Sequence, residues 1–400
     1  MKKSLLFAAA LTIISCSSNE IKKDLVQDEN NIPFTFSAYS DIATKADNHS
    51  NLEFFYKTFN VYGWKSLDNK ATWETAVFDN VTNEYFEDNA SFGNVIFLEA
   101  DGKKPADEWR AIQGTTQQPT GFPGWYYMGM RFWDKYATDY QFSAYTPITV
   151  SNEVDCTSDG KILIGSENSP ITVDTKNLVA TPKTVLEYKG FDKDYMTATS
   201  TAKTSAVNLI FSHELAKFNI KLVLSDAVST SQDVIVKEVS IKHIKGTSYY
   251  DNSKESETGY LTGWKTPTGE DLAYSVKGVN GASTGYKMNG ETAGTDNFSN
   301  YFVMERLMIP QTAQKNTEKN DQLEEMNQAC IYVEYTIGDQ VYKGHYALAN
   351  LFIGTGTETS YNFLGGNEYT LTINVGPLPI YFTTEVGAWA NNDASDLNAN

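Results

Sequence analysis

The sequence has little of what catalytic or metal centres are made from. Three cysteines and four histidines are spread over 400 residues. His49, His213, His243 and His345 stand far apart, and none has a second ligand at metal-binding spacing. There is no Cys-x-x-Cys pair, no Gly-x-Ser-x-Gly elbow, no phosphate-cradling glycine loop and no calcium loop. No catalytic, cofactor-binding or metal residue is therefore expected, and the chain does not read as an enzyme. Basic residues are scarce too: 32 Lys and Arg face 50 Asp and Glu, a formal charge of -18. Such a surface repels phosphate backbones, which excludes nucleic acid as a partner. Long apolar runs are also missing. The run Leu5 to Ile14 near the start is too short to cross a bilayer as a permanent helix.

What is present favours strands. Hydrophobic residues make up 41% and aromatics 13%, ample for a core. Thr, Tyr, Phe, Val and Ile recur in short runs separated by turn-forming residues, a pattern of all-β proteins. The organising stretch is 207–224. Val207, Leu209, Phe211, His213 and Leu215 share one parity, whereas Phe218, Ile220, Leu222 and Leu224 share the other. A one-residue slip turns every side chain to the opposite face, so one straight strand cannot hold both sets. The pattern predicts two strand segments with a bulge or break near Ala216-Lys217. His213 lies on the apolar parity, as a core histidine does.

Lys2-Lys3, the apolar run and Ile13-Ile14-Ser15-Cys16 read as a secretory signal (1–15) ending in a lipobox, with Cys16 as the acylated residue. Two or three acyl chains, at ~0.8 kcal/mol per buried methylene, would anchor it stably in lipid. Residues 16–31 are a polar tether. Ile32, Phe34, Phe36 and Ala38 then alternate as a first strand, which Pro33 confines to a strand start or edge. Trp125, Tyr126 and Tyr127 fit either sugar stacking or core packing. Residues 245–269 have the look of an exposed loop pinned by Trp264. Ile331, Val333, Tyr335 and Ile337 alternate, Gly338-Asp339 makes a two-residue turn and Val341 to Tyr346 returns, the clearest hairpin of the chain. Cys156 and Cys330 are open to pairing or to remaining free.

The segment Phe211-Ser-His-Glu-Leu-Ala-Lys-Phe218 resembles the central motif of the fimbrillin family, the pilin-like lipoproteins of type V pili. Four other stretches resemble the same family in the same order. They are Thr44-Lys45-Ala46 after the first strand, Arg131-Phe-Trp133 leading to Phe142-Ser-Ala-Tyr-Thr-Pro147, the apolar strand ending Ile309-Pro-Gln311, and the closing strands that finish Val386-Gly-Ala-Trp389.

The resemblance implies two tandem β-sandwich domains of transthyretin-like build, placed at 32–205 and 206–390, with a polar tail over 391–400. It implies a structural or adhesive pilus subunit on the outer membrane and cell surface, with other pilus subunits as partners. Lys45-Ala46 stands where the family has a Thr-Arg-Ala protease site, and is otherwise a loop lysine. Cutting there would release Ile32, Phe34, Phe36 and Ala38 and let subunits join by strand exchange. The family motif core falls on Phe211, His213, Leu215 and Phe218. The alternative is a surface glycan-binding lipoprotein using Trp125, Tyr126 and Tyr127, with a host or glycan ligand.

Overall fold

The computed structural model describes residues 34–40, 50–51, 58–69, 74–78, 95–98, 124–127, 133–148, 153–157, 159–173, 194–201, 206–225, 233–271, 274–277, 286–288, 300–316, 328–377 and 380–389. The signal, tether, Cys16, Ile32, Lys45, Ala46 and the 391–400 tail lie outside them. The described residues are almost all strand, arranged in several sheets.

The first half builds a nine-stranded sheet. Its central ladder runs through Thr58–Ser66, Asp139–Thr146, Met196–Ser200 and Val207–His213, each antiparallel to the next. The chain's first strand, Phe36–Ser40, adds to Val207–His213 in parallel, with Phe36 opposite Val207 and Ser40 opposite Phe211. On its other side, among the described residues, it pairs with the two-residue strand Ser50–Asn51. The inner face buries Phe34, Phe36, Phe59, Phe142, Leu209 and Phe211 in one aromatic cluster.

The second half is a sandwich. One sheet orders Asn300–Met308, Ala216–Leu224, Asn367–Val375 and Tyr381–Ala388. The facing sheet is built on Val234–Lys242, Cys330–Ile337 and Gln340–Ala347. Phe218, Ile220, Leu371 and Ile373 from the first meet Val239, Ile241, Val333 and Tyr335 from the second in one core. The expected hairpin forms, Ile337 opposite Gln340, with Gly338 at φ +56°, the left-handed conformation a two-residue turn requires.

The two strand segments form as expected, and the break between them is a change of sheet at Glu214-Leu215 in place of a bulge at Ala216-Lys217. Val207–His213 alternates buried and exposed in the first sheet, Glu214 and Leu215 leave it, and Ala216–Leu224 enters the second. Val207–His213 thus hydrogen-bonds with Phe36–Ser40 and Met196–Ser200. The segment after Lys245 is also no loop. It forms five short strands from Lys245–Ser248 to Thr268–Asp271, and Ile162–Ile164 and Ile171–Thr172 of the first half pair with two of them. Short strands of two to four residues are too brief to show a period, which is why they read as loop. Trp264 is fully buried, as a pin should be.

Candidate functional site: the seam between the halves

His213 ends its strand on the inward parity, and Met196 lies opposite it in the ladder. That register brings in Asp194, whose Oδ1 lies 2.7 Å from His213 Nδ1, with both side chains buried. Trp389, one residue beyond the final strand, stacks flat on the His213 ring, centroids 3.7 Å apart and planes 11° from parallel. Backbone bonds fix this end of the chain: Trp389 N–H donates to Gly366 O, and Gly366 N–H donates to Leu215 O. A Cβ on the neighbouring Gly365 would sit 2.5 Å from Glu214 O, so no larger residue fits that approach. Lys217 Nζ lies 6.0 Å from the Trp389 ring centroid and 3.4 Å from Glu368 Oε1.

Beside this stack, the Glu214 carboxylate accepts hydrogen bonds from Thr197 Oγ1 and from the Tyr250 hydroxyl. Burial pushes its pKa up to about 7; the two hydrogen bonds act against that, and the Glu255 charge adds to it. Trp264 Nε1–H donates to Glu214 O at 2.7 Å, and Tyr195 donates its hydroxyl to Glu153 at 2.6 Å. Burial raises the Tyr195 and Tyr250 hydroxyl pKa values, aided by the neighbouring carboxylates. Tyr62, Trp64, Tyr145, Ile164, Leu307 and Ile309 close the apolar part of the seam.

Gln311 shows why an Ile-Pro-Gln ending is useful. Its amide accepts from Lys245 N–H at 3.2 Å and donates to Lys245 O at 3.1 Å, standing in for a peptide group of a neighbouring strand. It also donates to Ile309 O at 3.0 Å.

Among the described residues no group of three His, Cys, Asp or Glu is placed to hold a metal ion. The Asp194–His213 pair belongs to the first half and is roofed by the Trp389 indole of the second, so the stack joins the two halves. Cys156 and Cys330 are both free thiols, and burial with the Asp155 and Asp159 charges pushes Cys156 up to about 12.

The four motif residues are all buried but do not share one place. Phe211 lies in the first core. Leu215 and His213 lie at the seam. Phe218 packs in the second core against Phe352 and Phe363, 5.8 and 6.0 Å away. Phe34, Phe36 and Ala38 are buried together; Phe34 packs on Trp133 at 4.2 Å and Phe36 on Tyr127 at 5.7 Å. Trp125 and Tyr127 are half-buried and turned to that same core. Trp125 lies 4.9 Å from Phe59, and the Tyr127 hydroxyl donates to Phe34 O at 3.1 Å. The Tyr126 side chain lies outside the described residues. Asp194, Glu214 and Trp264 were not anticipated as seam residues; only Trp264, an isolated aromatic among polar neighbours, gave a signal.

The described residues form a multi-sheet β chain whose two halves meet at the His213–Trp389 stack. The chain belongs to the fimbrillin-like family, whose sequence profile matches residues 79–389. It is similar to a fimbrial protein from Bacteroides vulgatus, with 13% identity, 90% of this chain and 100% of that one covered, and a TM-score of 0.49. It is also similar to the tip fimbrial protein Mfa3 from Porphyromonas gingivalis with C-terminal truncation, with 10% identity, 90% and 100% covered, and a TM-score of 0.38. At such identity and superposition these likenesses establish no function. No curated protein sequence matches the chain.

Proposed function

We propose that the chain is a structural or adhesive subunit of a fimbria, exported as a lipoprotein acylated on Cys16 and joined to other subunits by strand exchange on the cell surface. Membership of the fimbrillin-like family supports the subunit role. The observation that carries the exchange is the setting of the first strand. Phe36–Ser40 is held by one long neighbour, Val207–His213, and by a two-residue strand on its other side. Phe34 and Phe36 nevertheless fill the first core at 2% and 6% exposure. Removing the strand would uncover both pockets, at ~1.5–3 kcal/mol for each side chain lost to water. It would also open the backbone edge of Val207–His213, and a strand from a second subunit would satisfy both needs by β-strand addition. A cut between Lys45 and Ala46 would free the strand and sever the link to the lipid. We place the division between the two domains at Glu214-Leu215, where the chain changes sheets. A glycan platform at Trp125 and Tyr127 is the weaker reading, because those rings serve the core under the first strand.

The experiment is mass spectrometry of the N-terminus in protein sheared from cells and in protein retained by membranes, alongside Cys16→Ala. Sheared multimers beginning at Ala46, with membrane retention lost in Cys16→Ala, are the expected result. If every recovered molecule begins at acylated Cys16, strand removal at this site is wrong and the protein acts as a lipid-held anchor.

A further inference from the structure

A cleft of about 530 Å³ opens where the short strands after Lys245 meet the second sandwich. That volume is in the range of small-ligand sites. One wall is Gly259 to Leu261 with Thr266 and Pro267; the other is Pro310 to Gln314, with Gln328 and Asn362. His243, at φ +60°, carries the chain past it from one sheet to the next.

The chemistry of the lining is unlike that of the chain. Fifty of 400 residues are acidic, yet none of the sixteen lining residues is Asp or Glu. The cleft therefore does not select cations. The Gln311 amide is spent on the Lys245 backbone and builds the wall. Gln314, Gln328 and Asn362 are different. Asn362 Oδ1 accepts the Thr312 hydroxyl at 2.8 Å, leaving its amide N–H groups for a ligand. Gln314 is exposed and Gln328 half-buried. Each primary amide offers paired donors and acceptors, which match neighbouring hydroxyls, themselves donors and acceptors at once. Tyr260 adds a half-buried ring beside them, with Lys265 Nζ 4.7 Å from its centroid, and the buried Pro267 and Pro310 back the wall. The wall strand Gln311–Gln314 has its backbone paired with Ser360–Phe363, so it presents side chains to the cleft in place of a free edge for a peptide.

We infer that this cleft is a binding site for a neutral saccharide, read by the amides of Gln314, Gln328 and Asn362 against the Tyr260 wall. The site is independent of strand exchange and lies away from Trp125. The test is binding of the purified protein to immobilised oligomers of glucose, galactose and mannose, with carboxylate-bearing oligosaccharides and extended peptides in parallel, followed by titration calorimetry on any hit. Two variants accompany it: Gln328→Ala combined with Asn362→Ala, which removes contacts, and Gln314→Trp, which fills the space. Both alter side chains that hold no core, so unfolding temperatures should match the wild type. Binding of a neutral oligomer that falls about tenfold or more in both variants is expected. Binding unchanged in both places the site elsewhere and overturns the inference. Binding confined to acidic oligosaccharides or to peptides, or to none of the probes, overturns it equally. Each of these leaves the N-terminal mass test of assembly unaffected.

Discussion

Replacing Glu214 by Gln should stabilise the protein relative to wild type above neutral pH and leave it unchanged in acid, and the size of the effect follows from the seam. The Glu214 carboxyl moves from an ordinary 4.5 to about 7, chiefly through burial. That displacement corresponds to about 3 kcal/mol between the neutral and charged forms. Glu214 as a whole is half-buried, so we take about 2 kcal/mol as the working figure. The folded state keeps this proton to a higher pH than the unfolded chain does. Below pH 4.5 both states hold it and the group has no effect. Between 4.5 and 7 the unfolded chain releases it first, so folding stability falls as pH rises. Above 7 the folded state carries a buried charge and the loss levels off. Gln stays neutral throughout and can still bond Thr197 and Tyr250. The difference in unfolding free energy between Glu214→Gln and wild type should thus be near zero at the acidic end. It should climb through the window and reach a plateau of about 2 kcal/mol in favour of Gln. Urea titrations across pH, followed by intrinsic tryptophan fluorescence, read this directly. A difference that stays flat with pH would mean the carboxyl is solvated and the seam is open to water.

Phe211→Ala should cost ~3–5 kcal/mol, since the ring is fully buried and packs on Phe59 at 5.4 Å. His213 should resist acylating reagents until unfolding, because Asp194 and Trp389 enclose it; ready modification of the native protein would contradict the stack. Gln311→Ala should cost ~1–3 kcal/mol in chemical unfolding, as the half-buried Lys245 backbone loses its amide partner. At pH 8 Cys156 should alkylate far more slowly in the native than in the denatured protein, because burial and two aspartates hold its thiol protonated. Equal labelling rates would refute that.

The sequence was most readable where one strand buries one face. Val207–His213 alternates without interruption, and the Cys330–Ala347 hairpin carries its own turn signal in Gly338-Asp339. The parity switch after His213 was visible, but its meaning was not. A bulge and a passage between two sheets leave the same trace in the order of apolar residues, and only long-range pairing separates them. Strands of two to four residues between Lys245 and Asp271 gave no periodic signal at all. The seam was hidden for a related reason. Asp194 meets His213 across 19 residues and Gln311 meets Lys245 across 66, and a single polar residue carries no mark of its distant partner. Burial of Phe34, Phe36 and Ala38 was foreseen from their alternation; the parallel sense of their pairing was not.

That parallel sense has a mechanical consequence. Two strands running the same way place the start of one and the finish of the other at opposite ends of their shared ladder. A pull between the chain's beginning and its second half enters Phe36–Ser40 at Phe36 and leaves Val207–His213 at His213. The tension therefore acts along the ladder, and all five register pairs from Phe36–Val207 to Ser40–Phe211 resist together. An antiparallel strand in the same place would be peeled one bond at a time. A fimbrial protein in flowing liquid would meet that kind of pull, and the joint is oriented to bear it in shear.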